Sequence, residues 1–194
     1  MLPIKMIMLT FLSAWLLGPQ SAGEKVTCRI ESAAGEIRIE VYLEKAPLTA
    51  ANFLRYVDGE LYDGTTFFRV LTPDNQPDSK FRIEVIQGGD VAEAKCFPPI
   101  AHETTKMTGL RHLDGTVSMA RAEPGTASCN FFICIGDQPE LDYDGRRNPD
   151  GQGFAAFGRV VAGMEVVKKI QYMEVSGQYL KKPLAILSIR RQEP

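Results

Sequence analysis

Residues 115–136, GTVSMARAEPGTASCNFFICIG, tolerate few folds: strand-like residues at both ends flank a loop of small residues that carries a lone arginine, Arg121. In residues 130–135 a period of two puts Phe131, Ile133 and Ile135 on one face and Asn130, Phe132 and Cys134 on the other. One face can fill a core, while the other shows an aromatic ring beside an amide. The same alternation in residues 66–71 places Phe68 and Val70 together and turns Arg69 away from them, outward on an apolar strand. In residues 83–89, Glu84 and Ile86 share one parity and Val85 and Gln87 the other, and Gly88-Gly89 ends the strand by releasing the backbone. If these strands are neighbours in one sheet, Arg69, Val85, Gln87, Asn130 and Phe132 form a shallow apolar floor rimmed by guanidinium and amide donors. Such a floor suits an extended peptide with one small apolar side chain. Taken singly, Arg69 reads as a solvated strand residue and Phe132 as core.

The first 23 residues hold Lys5, an apolar run over residues 6–17, Gly18-Pro19 and the small triplet Ser21-Ala22-Gly23, the pattern of a secretory signal peptide. At 1.5 Å per residue the run is too short for a bilayer core of about 30 Å, so stable membrane insertion is not expected. Residues 24–194 then form one domain with a substantial core. Lysine and arginine number 22 against 24 acidic residues, and Arg146-Arg147 is an isolated doublet in a turn-rich loop, which argues against nucleic-acid binding. Cysteines at 28, 96, 129 and 134 fit no zinc knuckle. Cys96 and Cys129 could pair in an exported chain, or all could stay thiols. His102 and His112, ten apart in a loop, read as surface residues rather than metal ligands; no metal and no cofactor is implied.

Residues 26–30 and 35–42 read as a first hairpin. Pro47 in the first turn and the spacing of Ala50, Phe53, Leu54 and Val57 predict an amphipathic helix ending near Gly59. A second helix starts near Gly163 and carries Met164, Val167 and Ile170, and residues 186–190 supply a last strand beside the first. Residues 72–80, polar and rich in Pro, Asp and Asn, read as a flexible loop close to the arginine strand, and residues 144–153 as a second turn-rich loop.

FFRV at residues 67–70, IQGGD at 86–90, GTVSMAR at 115–121, NFFICIG at 130–136 and FGRVVAGMEVV at 157–167 together resemble cyclophilin-type peptidyl-prolyl cis-trans isomerases, of the bacterial exported kind. The resemblance spans nearly all of the chain after residue 25. It implies a mainly β fold, a closed antiparallel eight-stranded β-barrel capped by two α-helices, acting as a monomer on proline-containing polypeptides. It assigns Arg69 the role of donating to the proline nitrogen, Gln87 that of holding nearby backbone, and Phe132, Val85, Leu141 and Ala120 the proline pocket. Flanking contacts fall to Asn130, Arg121, Phe154, Glu84 and Glu140. These five depart from the familiar pattern: Glu84 stands where an aromatic is usual, Asn130 for glutamine, Arg121 for asparagine, Glu140 for tryptophan or another aromatic, and Phe154 for histidine.

Rotation about an Xaa-Pro bond breaks no covalent bond, so nothing but preferential binding of the twisted amide is required. A hydrogen bond from a charged donor, about 1.5–3 kcal/mol, corresponds to one or two decades of rate at about 1.4 kcal/mol per decade. The departures leave a second reading, a proline-peptide-binding module or holdase with weak or no turnover. A third, a structural barrel without a peptide site, would bury Phe132.

Overall fold

The computed structural model describes residues 25–192, so the expected leader lies outside the described residues. Strands β1 (Lys25–Ser32) and β2 (Gly35–Tyr42) form the predicted hairpin, in register from Lys25 opposite Tyr42 to Ser32 opposite Gly35. Helix α1 (Pro47–Asp58) follows. Its N-terminus lacks a capping side chain of its own; instead Glu103 accepts from the amides of Leu48 (3.2 Å) and Thr49 (2.7 Å) and from the Thr49 hydroxyl (2.6 Å). A carboxylate there satisfies orphan amides and complements the helix dipole.

After α1 come β3 (Thr66–Leu71), β4 (Val85–Gly88), the single-turn α2 (Thr105–Thr108), β5 (Thr116–Met119), β6 (Phe131–Cys134), β7 (Ala155–Ala162), α3 (Met164–Gln171), β8 (Val175–Ser176) and β9 (Tyr179–Arg191). The antiparallel order is β1-β2-β7-β5-β6-β4-β3-β9, and β1 pairs with β9 to close an eight-stranded barrel; β8 is a two-residue flap hydrogen-bonded to β9. Closure leaves no free edge among the eight. Alternating residues of the strands fill the interior: Ile30, Ile37, Ile39, Phe67, Ile86, Phe131, Ile133 and Phe157 are all fully buried. Helix α1 inserts Phe53 against them, its ring 4.9 Å from that of Phe157 and edge-on to Phe131 at 5.6 Å. Helix α3 buries Val166, Val167 and Ile170. No helix among the described residues is long and apolar enough to cross a membrane.

Strict alternation fails in β3. Phe67 and Val70, not Phe68 and Val70, share the core, because the register shifts between Phe67 and Arg69 on both neighbouring strands. The extra residue is a β-bulge, and it leaves Phe68 half-buried, stacked on Tyr179 at 6.5 Å. Arg69 still faces away from the core. On β4, a Cβ at Gly88 would come within 2.8 Å of the Phe67 ring, so glycine is what lets the two strands approach there.

The loop of residues 72–83 is not the loose excursion its composition suggests. Thr72 and Asn75 cap a short 3-10 turn over Pro73–Asn75. The buried Gln76 side chain bonds the carbonyls of Thr72 and Ile83, each at 2.7 Å, and the Ile83 amide.

Candidate active site

On the outer face of β3, β4 and β6, a second apolar cluster stands apart from the barrel core: Leu71, Ile83, Val85, Phe132, Cys134 and Leu141, with Ala120 and Phe154 packed against it. It floors a recess of about 220 Å³ whose rim carries Arg69, Gln87, Arg121, Arg147 and Asn148. Sequence parity located Arg69, Val85, Gln87 and Phe132 on this face, and the pairing of Arg69 opposite Gln87 and of Gln87 opposite Phe132 makes them neighbours across three strands.

Arg69 is held on two sides. Its Nη1 donates to Gln87 Oε1 (3.2 Å), while Nε (3.1 Å) and Nη2 both donate to Gln178 Oε1. Gln178, in the turn between β8 and β9, also accepts from the Val70 amide through its own carbonyl (2.9 Å) and donates to the Asn75 carbonyl (3.3 Å). A guanidinium has five N–H donors, so donors remain on both terminal nitrogens for a ligand. Nothing in the sequence around Gln178 marks it as a site residue; it arrives because Tyr179 pairs with Arg69 across β9 and β3.

Phe132 is 5 % exposed overall, yet its ring lines the recess, stacked at 6.0 Å on His112 behind it and edge-on at 5.4 Å to Phe154. Burial of this ring therefore goes with a walled pocket as readily as with a plain core. Leu141, from a 3-10 turn over Pro139–Leu141, and Ala120 complete the walls.

A second recess of about 290 Å³ adjoins the first and shares Gln87, Ala120 and Arg121 with it; Asn130 lies here. Asn130 Nδ2 donates to the Gly89 carbonyl (2.6 Å), and its backbone carbonyl accepts from Ala120 (2.9 Å). Two recesses joined at three residues make one groove for an extended chain.

The other flanking residues are placed differently. Arg121 lines both recesses, but its side chain is 1 % exposed and its donors are engaged within the chain: two to Asp150 (2.8 and 2.9 Å), two to the Gly153 carbonyl (2.8 and 2.6 Å) and one to the Ala122 carbonyl (3.1 Å). It is a clamp that holds the loop before Phe154, not a free donor. Glu84 stays outside the recess: the parity it shares with Ile86 takes it to α3, where Gln171 donates to it at 3.2 Å. Glu140 lies on a separate, wide groove of about 450 Å³. There it accepts from the backbone and guanidinium of Arg146, whose hydrogen bond holds the carboxyl below its ordinary pKa. That groove is larger, but two of its carboxylates are paired, Asp142 with Arg111 and Glu140 with Arg146, and it holds none of the β3, β4 and β6 residues.

His112 is the clearest departure from expectation. It is buried at 1 % exposure rather than on the surface. Its Nδ1 lies 2.8 Å from Asp142 Oδ1 and its Nε2 3.0 Å from Ser118 Oγ. Burial lowers the imidazole pKa against the opposing pull of Asp142. Asp142 is pushed up by its own burial, but the side-chain and backbone hydrogen bonds from His112, with Arg111, bring it net below its ordinary value. Ser118 is itself fully buried, so this relay supports Phe132 and offers no exposed nucleophile. No group of three or more His, Cys, Asp or Glu side chains arranged to hold a metal occurs among the described residues.

The family model for the cyclophilin type peptidyl-prolyl cis-trans isomerase/CLD matches residues 26–191. Peptidyl-prolyl cis-trans isomerase A of Dickeya dadantii is 35 % identical over 192 residues, covering 93 % of each chain. Peptidyl-prolyl cis-trans isomerase cyp18 of Streptomyces antibioticus is 38 % identical over 150 residues, 75 % of this chain and 82 % of that one. A cyclophilin type isomerase of Cryptosporidium parvum, at 20 % identity, shares the fold with a TM-score of 0.71 over 88 % of this chain and 99 % of its own. With the barrel, its two capping helices and the outer recess in place, the chain belongs to the cyclophilin-type peptidyl-prolyl cis-trans isomerases.

Proposed function

We propose that Arg69 is the group through which this isomerase lowers the barrier to Xaa-Pro rotation, with Gln87 as its partner on β4 and Phe132, Val85, Leu141 and Ala120 as the seat of the proline ring. The observation that carries this is the doubly held guanidinium at the mouth of an apolar recess. As the amide twists, resonance is lost and the proline nitrogen becomes an acceptor; a donor already fixed beside it binds the twisted state better than either planar one. Burying three ring methylenes at about 0.8 kcal/mol each anchors the ring only weakly, so proline is required and its neighbours are loosely selected. Asn130, in the adjoining recess, is a contact for the chain beyond the proline.

Two of the departures that favoured a binding module without turnover, Glu84 and Glu140, stand outside the recess, which supports catalysis. Measured as cis-to-trans conversion of a proline peptide, Arg69→Ala is expected to cost one to two decades in kcat/KM. Equal rates for the two proteins would refute the role of Arg69. Peptide binding without exchange between cis and trans NMR signals would favour the holdase. We further propose, from the charged, apolar and small-residue pattern of residues 1–23, that the enzyme works on exported proteins. Cell fractionation with sequencing of the mature N-terminus should find the protein outside the cytoplasm, starting near residue 24; a cytoplasmic protein retaining Met1 would refute export.

A further inference from the structure

Three arginines line the proline recess, and they are not equivalent. Arg121 is neutralised by the bidentate Asp150. Among the described residues, Arg69 and Arg147 form no ion pair with any carboxylate: Arg69 bonds two glutamines, and Arg147 Nη1 bonds the Ser79 hydroxyl (2.6 Å) and the Phe81 carbonyl (2.8 Å). No acidic side chain lines this recess. Two half-buried cations thus face one cavity with neutral partners alone, which the chain stabilises poorly and an incoming anion would stabilise well.

The position of Arg147 is built rather than incidental. Its amide donates to the Glu140 carbonyl (3.0 Å), which anchors the turn, and its guanidinium is aimed by the loop of residues 72–83. Its neighbour Arg146 turns the other way, onto Glu140. Burial, then the charge of Arg69, pulls the Arg147 pKa below its ordinary value, in keeping with two like charges sharing one space.

We propose that Arg147 makes this recess selective for a carboxylate on the residue next to the substrate proline, so that acidic-flanked Xaa-Pro bonds are turned over faster than neutral ones. The assignment rests on the recess being the isomerase site. A guanidinium meets a carboxylate in a planar, two-pronged fit that an amide isostere cannot reproduce. The same chemistry could be presented by the free carboxylate of a chain ending in proline, and the test separates the two.

The experiment compares kcat/KM for peptide pairs differing only as Glu against Gln, immediately before and immediately after the proline, with a pair ending in proline as carboxylate or amide. Glu is expected to exceed Gln about fivefold at low salt in at least one position, and salt should erode the difference. Arg147→Gln should bring the ratio to about one, and Arg147→Lys, which keeps the charge, should retain part of it. Equal rates for Glu and Gln in the unaltered enzyme, a preference that survives Arg147→Gln, or discrimination confined to the chain-terminal pair would each overturn the assignment. Absence of turnover on every peptide would overturn the isomerase reading instead; the Glu-to-Gln affinity ratio from NMR titration would then decide the selectivity.

Discussion

The sulfur atoms of Cys96 and Cys129 lie 3.1 Å apart, one from the loop after β4 and the other beside Asn130 in the recess that adjoins Arg121. Both are thiols in this structure. Glutathione disulfide should oxidise the pair, two electrons and two protons passing to give two glutathione molecules, while the buried Cys28 and Cys134 stay reduced. Burial and the neighbouring thiol push Cys129 up to about 12, so the reaction should be slow at neutral pH and faster as pH rises. Thiol counting in denaturant should fall from four to two, and Cys96→Ser should prevent it. Closing this loop should raise stability by about 3–4 kcal/mol.

Gln178 holds the Arg69 guanidinium, so the role proposed for Arg69 makes Gln178 its positioning residue. Gln178→Ala removes the acceptor of Nε and Nη2 and frees the guanidinium to rotate. A loss of about fivefold to tenfold in kcat/KM is expected, carried by kcat. Gln178→Glu should rescue the positioning only in part, because a full ion pair would compete with substrate. An unchanged kcat in Gln178→Ala would show that Gln87 suffices.

The His112–Asp142 pair makes stability depend on acid. Burial holds the imidazole of the folded protein below its ordinary pKa of 6.5 against the pull of Asp142, whereas the unfolded chain takes up a proton near that value. Stability is therefore full above about pH 6.5 and falls as the pH drops from there toward the folded pKa. The depressed Asp142 adds a further loss below its ordinary 3.8, in the same direction. Denaturant midpoints followed downward from neutral pH should show the decline, and His112→Asn should flatten its upper part.

Arg121 and Asp150 are structural partners. Asp150→Ala would leave a guanidinium that is 1 % exposed with carbonyl acceptors alone. A destabilisation of about 3 kcal/mol is expected, or roughly 6–12 °C in Tm for a domain of this size. Calorimetry of the variant measures it directly.

Much of the barrel was legible because its strands alternate cleanly: β2 and β6 lie where the period of two puts them, and α1 starts at its proline. The bulge at Phe68 was not, since it depends on what β4 and β9 present to β3 rather than on local composition. In the site, Arg69, Val85, Gln87 and Phe132 follow from parity alone, and Leu141, Ala120 and Phe154 from family resemblance. Glu84 and Glu140 were carried to the site by the resemblance, and the fold takes both elsewhere. The places of Gln178, Arg147 and His112 were not legible for one reason: each lies in a segment whose own pattern is silent about its tertiary partner, Arg69 for Gln178, Ser79 and Phe81 for Arg147, and Phe132 for His112. The spacing of His112 from His102 suggested exposure, while Asp142 and Ser118, which bury it, are far away or unremarkable in sequence.

The pairing of β1 with β9, Ile30 opposite Ile189, joins the two ends of the described chain and completes the barrel. A growing polypeptide holds β1 long before β9 exists, so the wall cannot shut until nearly every residue has been made. Such non-local closure is slow, and it leaves the other strands without a closed wall until the last one arrives. The enzyme that hastens rotation in other chains should itself be a late folder, vulnerable to aggregation while its last strand is awaited.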